Sequence, residues 1–274
     1  MNKYISSTSN ELVKTVLQLQ NKSRVRKKEG LFVIEGIREI SLACQASLLF
    51  KFFLYCEEIS SEDEIGRIEK LSVEQNTEWI KISKGVYEHL AHRKTTEGLL
   101  AVAYTENREL KDLRLRKNPL ILVAEASEKP GNIGALLRTS DAANLDAVII
   151  ANPLTDLYNP NIIRSSLGCV FTNQVVMASS DEIISYLRDR QISIVSAALV
   201  EDSVTYHKTD FNIPTAIIVG TESTGLSQQW LDNSDQNVII PMEGKIDSLN
   251  VSVSAAILIF EAKRQRSIAA SPLK

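Results

Sequence analysis

The chain is poor in the residues that most catalytic and structural centres rely on. Cysteine occurs three times in 274 residues, at Cys44, Cys56 and Cys169, and histidine three times, at His89, His92 and His207. The cysteines are far apart and lack metal-ligand spacing. That argues against a zinc ribbon or a disulfide scaffold and makes a reduced cytoplasm the simplest compartment. No apolar run approaches the ~18 residues of a membrane span. The opening residues, Met1 to Ser7, lack the apolar core of a secretory signal. No G-x-G-x-x-G follows a strand-like segment, so the dinucleotide fingerprint is missing. Gly220 and Gly225 have P-loop spacing, but Leu226 stands where a P-loop needs Lys, which disfavours nucleoside triphosphates. An overall basic excess is also absent, since the net charge is −3.

What is present reads as a globular α/β protein. Hydrophobic residues make up 44% and charged residues 24%, enough for a sizeable core. In the N-terminal third, Asn10 is placed to cap a helix through Val13, Val16 and Leu17. Leu31–Ile34, Lys51–Tyr55, Trp79–Ile82 and Leu99–Ala103 read as strands, with helices between them. Residues 105–117 are almost wholly polar apart from Leu110, Leu113 and Leu115. We therefore expect a small α/β domain over 1–105, a linker over 106–117 and a second domain over 118–274. In the second domain Leu120–Ala124, Ala147–Ile150, Ile192–Ser196, Ala216–Val219 and Asn237–Ile240 are continuous apolar strands separated by helices. That pattern predicts a parallel sheet covered on both faces, with ligands bound outside the carboxyl ends of its strands.

Charge is locally uneven. Lys22, Arg24, Arg26, Lys27 and Lys28 fall within seven residues, and such a cluster can neutralise phosphates even on a slightly acidic chain. A solvated helix face is the plain alternative.

Three strand-end loops carry unusual residues. The first runs Glu125-Ala126-Ser127-Glu128-Lys129-Pro130-Gly131-Asn132, and Arg138 is the only cation of the helix that follows. Asn132 could cap that helix or touch a ligand. Arg138 could serve a ligand or pair with Asp141 or Asp146. The second loop, Gly220-Thr221-Glu222-Ser223-Thr224-Gly225, sets a carboxylate in a glycine-rich turn. The third, Ile240-Pro241-Met242 through Ser248-Leu249-Asn250-Val251-Ser252, places small polar groups at the start of an apolar helix.

Taken together, the three loops resemble the SpoU/TrmH branch of the SPOUT superfamily, the RNA 2′-O-ribose methyltransferases. The first family motif resembles Pro130-Gly131-Asn132 with Gly134 and Arg138-Thr139. The second resembles Gly220, Glu222 and Gly225, and the third Ile240-Pro241-Met242, Gly244 and Ser248 to Ser252. Asn159-Pro160, Arg164-Ser165-Ser166, Gly168 and Phe171 resemble a segment between the first two. The stretch from Asn10 through Lys22 and Arg24 to Glu35-Gly36 resembles an accessory substrate-binding domain. Lys129, Ser223 and Ser254 depart from the pattern, away from the positions expected to do chemistry.

The resemblance implies a trefoil knot in the parallel-sheet domain, which periodicity could not reveal because knots are almost absent from proteins. It also implies S-adenosylmethionine as methyl donor, held by Gly220, Ile240 and Leu249 with Leu199 and Met242, and a homodimer. It assigns Arg138 to the ribose 2′-hydroxyl, with Asn132, Glu222, Ser248 and Asn250 positioning substrate and loops. No metal is required. Lys22, Arg24, Arg26, Lys27, Lys28, Arg93, Lys94 and Arg164 become candidate RNA contacts, with ribosomal large-subunit RNA as the expected substrate. A catalytically inactive RNA-binding module of the same fold and a tRNA 2′-O-methyltransferase are the alternatives.

Overall fold

The structure is a computed structural model that describes residues 4–72, 77–92, 97–221 and 224–270. It divides into two compact units. The first comprises Met1–Glu106 and Asp156–Thr172, the second Asn107–Thr155 and Asn173–Lys274.

The first unit begins with β1 (Tyr4–Ile5), α1 (Glu11–Asn21), α2 (Ser23–Glu29), β2 (Leu31–Glu35) and α3 (Ile37–Gln45). It continues with β3 (Phe50–Tyr55), α4 (Glu62–Ser72), β4 (Glu78–Ile82), α5 (Lys84–Leu90) and β5 (Leu99–Tyr104). Asn10 caps α1 as expected: its Oδ1 accepts the Leu12 N–H at 2.9 Å. Gly30, at φ +63°, ends α2 in the left-handed conformation that glycine adopts without strain. The strands form one sheet in the order β1-β4-β3-β5-β2, with β5 antiparallel to both its neighbours. Val13, Val16 and Leu19 of α1 pack with Val33, Leu54, Ile80, Leu100 and Val102 into its core.

The second unit starts with β6 (Leu120–Glu125), α6 (Pro130–Ala142) and β7 (Ala147–Ala151). Two short helices of the next stretch, α7 (Pro160–Ser165) and α8 (Cys169–Thr172), belong to the first unit. There Phe32 stacks on Tyr158 with ring centroids 4.1 Å apart, and Gly168 packs so closely on α3 that a methyl group on it would lie 2.9 Å from Leu42 Cδ1. The family-like segment around Arg164 is thus part of the N-terminal core, not of the sheet whose sequence surrounds it.

The second unit resumes with β8 (Val175–Ala178), α9 (Ser180–Asp189), β9 (Ser193–Ala197), β10 (Val204–Thr205) and β11 (Thr215–Val219). It closes with α10 (Gln228–Asp232), β12 (Gln236–Ile239) and α11 (Val251–Ala270). Its sheet runs β10-β12-β9-β11-β6-β7-β8, every pair parallel. Ile183 and Leu187 of α9 and Trp230 of α10 cover Ile121, Val123, Ile149, Ile194 and Ile218. Helices α6 and α11 contribute nothing to that cluster. They pack on each other, α6 also against β7 and α11 against β11.

The stretch expected as a linker is a fixed part of the second unit. Leu110, Leu113 and Leu115, the three apolar residues in a polar run, pack against its core. Gln174 exchanges two bonds of 2.9 Å with the Arg114 backbone, and Arg116 chelates Asp146 through Nε and Nη2 at 2.9 Å each. β8, of four residues, and β10, of two, are too short to register as strands in the sequence.

Candidate active site at the strand carboxyl ends

The first loop leaves β6 at Glu125, which is only 5% exposed. The Glu125 carboxylate accepts the Ser227 N–H at 2.8 Å and the Ser227 hydroxyl at 2.7 Å. A single carboxylate therefore ties the first loop to the end of the second. Neither residue stood out in the sequence, although Glu125 is the lone charge closing an apolar strand. Lys129, not Asn132, occupies the N-cap of α6, and Pro130 fills the first turn, where its missing N–H costs nothing. Asn132 lies inside that turn, so capping is not its role. Its Oδ1 accepts Asn250 Nδ2 at 3.2 Å.

In the second loop, Thr221 and Gly225 exchange two backbone bonds of 3.1 Å, and Gly225 has φ +67°. A methyl group on Gly220 would lie 2.3 Å from the carbonyl carbon and oxygen of Gly225, so only glycine fits. The Thr221 and Thr224 hydroxyls are 2.7 Å apart. Glu222 lies outside the described residues.

The third loop ends at Asn250, whose Oδ1 accepts the Ser252 N–H at 3.0 Å and the Ser252 hydroxyl at 2.6 Å at the start of α11. The Ser248 hydroxyl donates to Asp247 Oδ1 at 3.1 Å. Asn250 therefore caps one helix with its oxygen and reaches the first turn of another with its amide nitrogen.

Three concavities open where these loops meet. One of about 440 Å3 is lined by Leu199, Ile240, Met242, Ile246, Leu249 and neighbours. A second of about 290 Å3 adds Gly220, Thr221 and Gly225 and shares Ala197, Leu199, Asp247, Ser248, Leu249 and Ser254 with the first. A third of about 320 Å3 is bounded by Ser127, Lys129, Asn132, Thr221, Thr224 and Val251. The residues expected to hold a methyl donor, Gly220, Ile240, Leu249, Leu199 and Met242, each line at least one of the first two. Leu199 is 79% exposed there, an apolar side chain standing open at the mouth. Arg138 lines none of the three. Six residues beyond Asn132, it sits ~9 Å further along α6 and about 120° around it. It is exposed, and among the described residues it makes no hydrogen bond or ion pair. The alternative pairing with Asp146 does not occur, because that carboxylate is held by Arg116.

In the first unit Lys22, Arg24, Lys27 and Lys28 are exposed on α2 and its cap. Arg26 must be removed from the set of RNA contacts. It is 3% exposed, and its guanidinium is consumed by Asp156 and by the carbonyls of Leu19 and Gln20. Its tertiary partner Asp156 draws Arg26 inward, while Lys27 and Lys28 face water. Arg164 is exposed on α7 of this same unit, with Nη2 donating to Asn161 Oδ1 at 3.0 Å. Arg93 and Lys94 lie outside the described residues. Among the described residues no group of His, Cys, Asp and Glu could hold a metal ion, and no helix is long and apolar enough to cross a membrane.

Comparison with known proteins bears on both units. Residues 119–260 match the SpoU rRNA Methylase family, and residues 10–101 match the MRM3-like substrate binding domain. A curated relative from Bacillus subtilis, the 23S rRNA (guanosine(2553)-2'-O)-methyltransferase RlmP, is 28% identical over 261 residues, covering 95% of this chain and 99% of its own. A crystal structure described as an RNA 2'-O ribose methyltransferase is 37% identical with a TM-score of 0.82, over 96% of this chain and 99% of that one. The SpoU methyltransferase AviRb from Streptomyces viridochromogenes, solved with AdoMet, is 28% identical with a TM-score of 0.84, over 94% and 100% of the two chains.

Proposed function

From the premise that the chain belongs to the SpoU rRNA Methylase family, we propose that it transfers a methyl group from S-adenosylmethionine to a ribose 2′-hydroxyl of large-subunit ribosomal RNA. The observation that carries this reading is the meeting of three separately encoded turns on adjoining cavities, joined by the Asn132–Asn250 bond.

The cavities suit the donor. Their volumes, about 440 and 290 Å3, fall in or near the range of small-molecule sites. Leu199, Ile240, Met242 and Leu249 would receive the adenine ring, and the tight backbone at Gly220 would let main-chain polar groups approach it. When bound, S-adenosylmethionine supplies a methyl group already activated by the sulfonium, so the protein needs no metal for this step.

The remaining work is alignment and proton removal. Positioning two reactants can contribute roughly 7–11 kcal/mol to lowering the barrier. Arg138 is exposed and, among the described residues, unpaired, which leaves its guanidinium for RNA. A guanidinium is a poor base. Its role is to grip the phosphate beside the target ribose and orient the 2′-oxygen, with the proton leaving toward that phosphate. Asn132 and Asn250, fixed by each other, orient the ribose, Ser248 steadies the third loop through Asp247, and Glu222 braces the second loop.

The exposed side of α11 supports a homodimer. Val253 and Phe260, seven residues apart and therefore on one face, are 46% and 50% exposed. A second copy would cover them. Lys22, Arg24, Lys27, Lys28 and Arg164 would take RNA phosphates. Ribosomal RNA as substrate goes with a cytoplasmic protein, and the three buried free cysteines accord with a reducing compartment.

The test is incubation of the purified protein with ribosomal RNA and labelled S-adenosylmethionine, followed by mapping of alkali-resistant linkages. A new resistant linkage is expected. Label incorporated into RNA carrying a 2′-deoxyribose at the mapped position would overturn the assignment to the 2′-hydroxyl.

A further inference from the structure

The first unit holds a second polar cleft, remote in sequence from the three turns. It lies between α1, β2, the residues after α5, and α7. Gln20, Val33 and Ile163 floor it, and Glu35, His92 and Arg164 rim it. The whole cleft has room for about 20 Å3, one water-sized group. Gln20 is 5% exposed. Its Nε2 donates to the Leu90 carbonyl at 2.8 Å, which fixes the orientation of the amide, because the reverse would set oxygen against oxygen. Gln20 Oε1 is buried and has no hydrogen-bond partner among the described residues. Such an orphan acceptor costs free energy until something donates to it.

We propose that this cleft reads an unstacked guanine of the RNA substrate by its N1–H and 2-amino edge. The 2-amino group would enter the water-sized floor and donate to Gln20 Oε1. The N1–H would meet the Glu35 carboxylate, which also takes the His92 backbone N–H at 3.1 Å. Guanine is the base whose edge presents two neighbouring donors; adenine and cytosine present one amino group, and uracil one imino group. Val33 and Ile163 provide an apolar floor, and the exposed Arg164 guanidinium and His92 imidazole are planar groups on which a base stacks. Pro160 and Ile163 reach this cleft because Arg26–Asp156 and Phe32–Tyr158 anchor their segment in this unit. The inference rests on the first unit being an RNA-binding unit.

The test is equilibrium binding of the full chain to the heptaribonucleotides UUUGUUU, UUUAUUU and UUUIUUU, where I is inosine, which keeps N1–H but lacks the 2-amino group. The guanine oligonucleotide is expected to bind about tenfold more tightly than the other two. Gln20→Leu should reduce it to the inosine level without changing affinity for S-adenosylmethionine. Glu35→Gln, which leaves the Leu90 contact intact, should also erase the preference and serves if Gln20→Leu fails to fold. Equal, salt-sensitive binding of all three by the wild-type chain would overturn the base pocket while leaving the RNA reading standing. Absence of binding to any of them at low salt would overturn both. A crystal structure with UUUGUUU bound that shows only a water on Gln20 Oε1 would also overturn it.

Discussion

Arg26 and Asp156, 130 residues apart in sequence, meet at 2.5 Å in an ion pair whose side chains are 4% and 10% exposed. The pair joins the basic helix α2 to the segment carrying Arg164. Removing one partner from such a pair leaves an uncompensated buried charge, at a cost of about 3–5 kcal/mol. Arg26→Met should lower stability to urea by that amount. It should leave the salt dependence of RNA binding unchanged, whereas Lys27→Ala and Lys28→Ala should each reduce the logarithmic salt slope by about 1. A lower slope in Arg26→Met, with stability intact, would return Arg26 to the RNA surface.

Gly220→Ala tests the proposed donor site. The added methyl meets Gly225 backbone at 2.3 Å, and backbone cannot rotate away as a side chain can. The second loop must shift, so affinity for S-adenosylmethionine should fall at least about tenfold. The cost in stability should stay within the ~1–3 kcal/mol of overpacking. Calorimetric titration with the methyl donor measures the first and thermal unfolding the second.

Arg138→Ala should reduce turnover by about a hundredfold or more, the scale of losing one group that acts at the transition state. Donor affinity should be unchanged, since Arg138 lines neither of the cavities proposed to hold the donor. Arg138→Lys should restore little, because an ammonium cannot reproduce the guanidinium fork. Single-turnover assays at saturating donor decide it, and near-wild-type turnover in the alanine variant would remove Arg138 from the reaction.

Asp146 is expected to contribute to the acid limit of the second unit. Burial raises its pKa, but the Arg116 side chain and the N–H groups of Leu120 and Arg116 together outweigh burial and hold it below its ordinary 3.8. The folded value lies below the unfolded one. The stabilisation is therefore complete above about pH 3.8 and fades as pH falls through that value toward the folded one. Asp146→Asn should cost about 1–3 kcal/mol at neutral pH and flatten the fall in melting temperature below about pH 4. An unchanged acid limb would show that other carboxylates set it.

The parallel sheet was legible in the sequence because its strands are buried on both faces and so read as unbroken apolar runs. The three loops were legible because glycine, proline and small polar residues cluster where those runs end. The cap at Asn10 was legible for a local reason: an Asx side chain bonds the backbone two residues on. Glu125 and Ser227 were not, since each is ordinary in its own segment and the pair exists only once β6 and β11 lie side by side.

The sequence by itself determined which long apolar segments become strands and which turns can carry chemistry, since hydrophobic period and turn preference act over a few residues. Tertiary structure alone decided that Arg26 faces inward, that residues 156–172 join the N-terminal unit, that the apparent linker is packed, and that Arg138 stands outside the cavities. The reason is the range of the forces involved. Burial of a charge, a stacked ring or a leucine depends on neighbours a hundred or more residues away, and no local pattern encodes them.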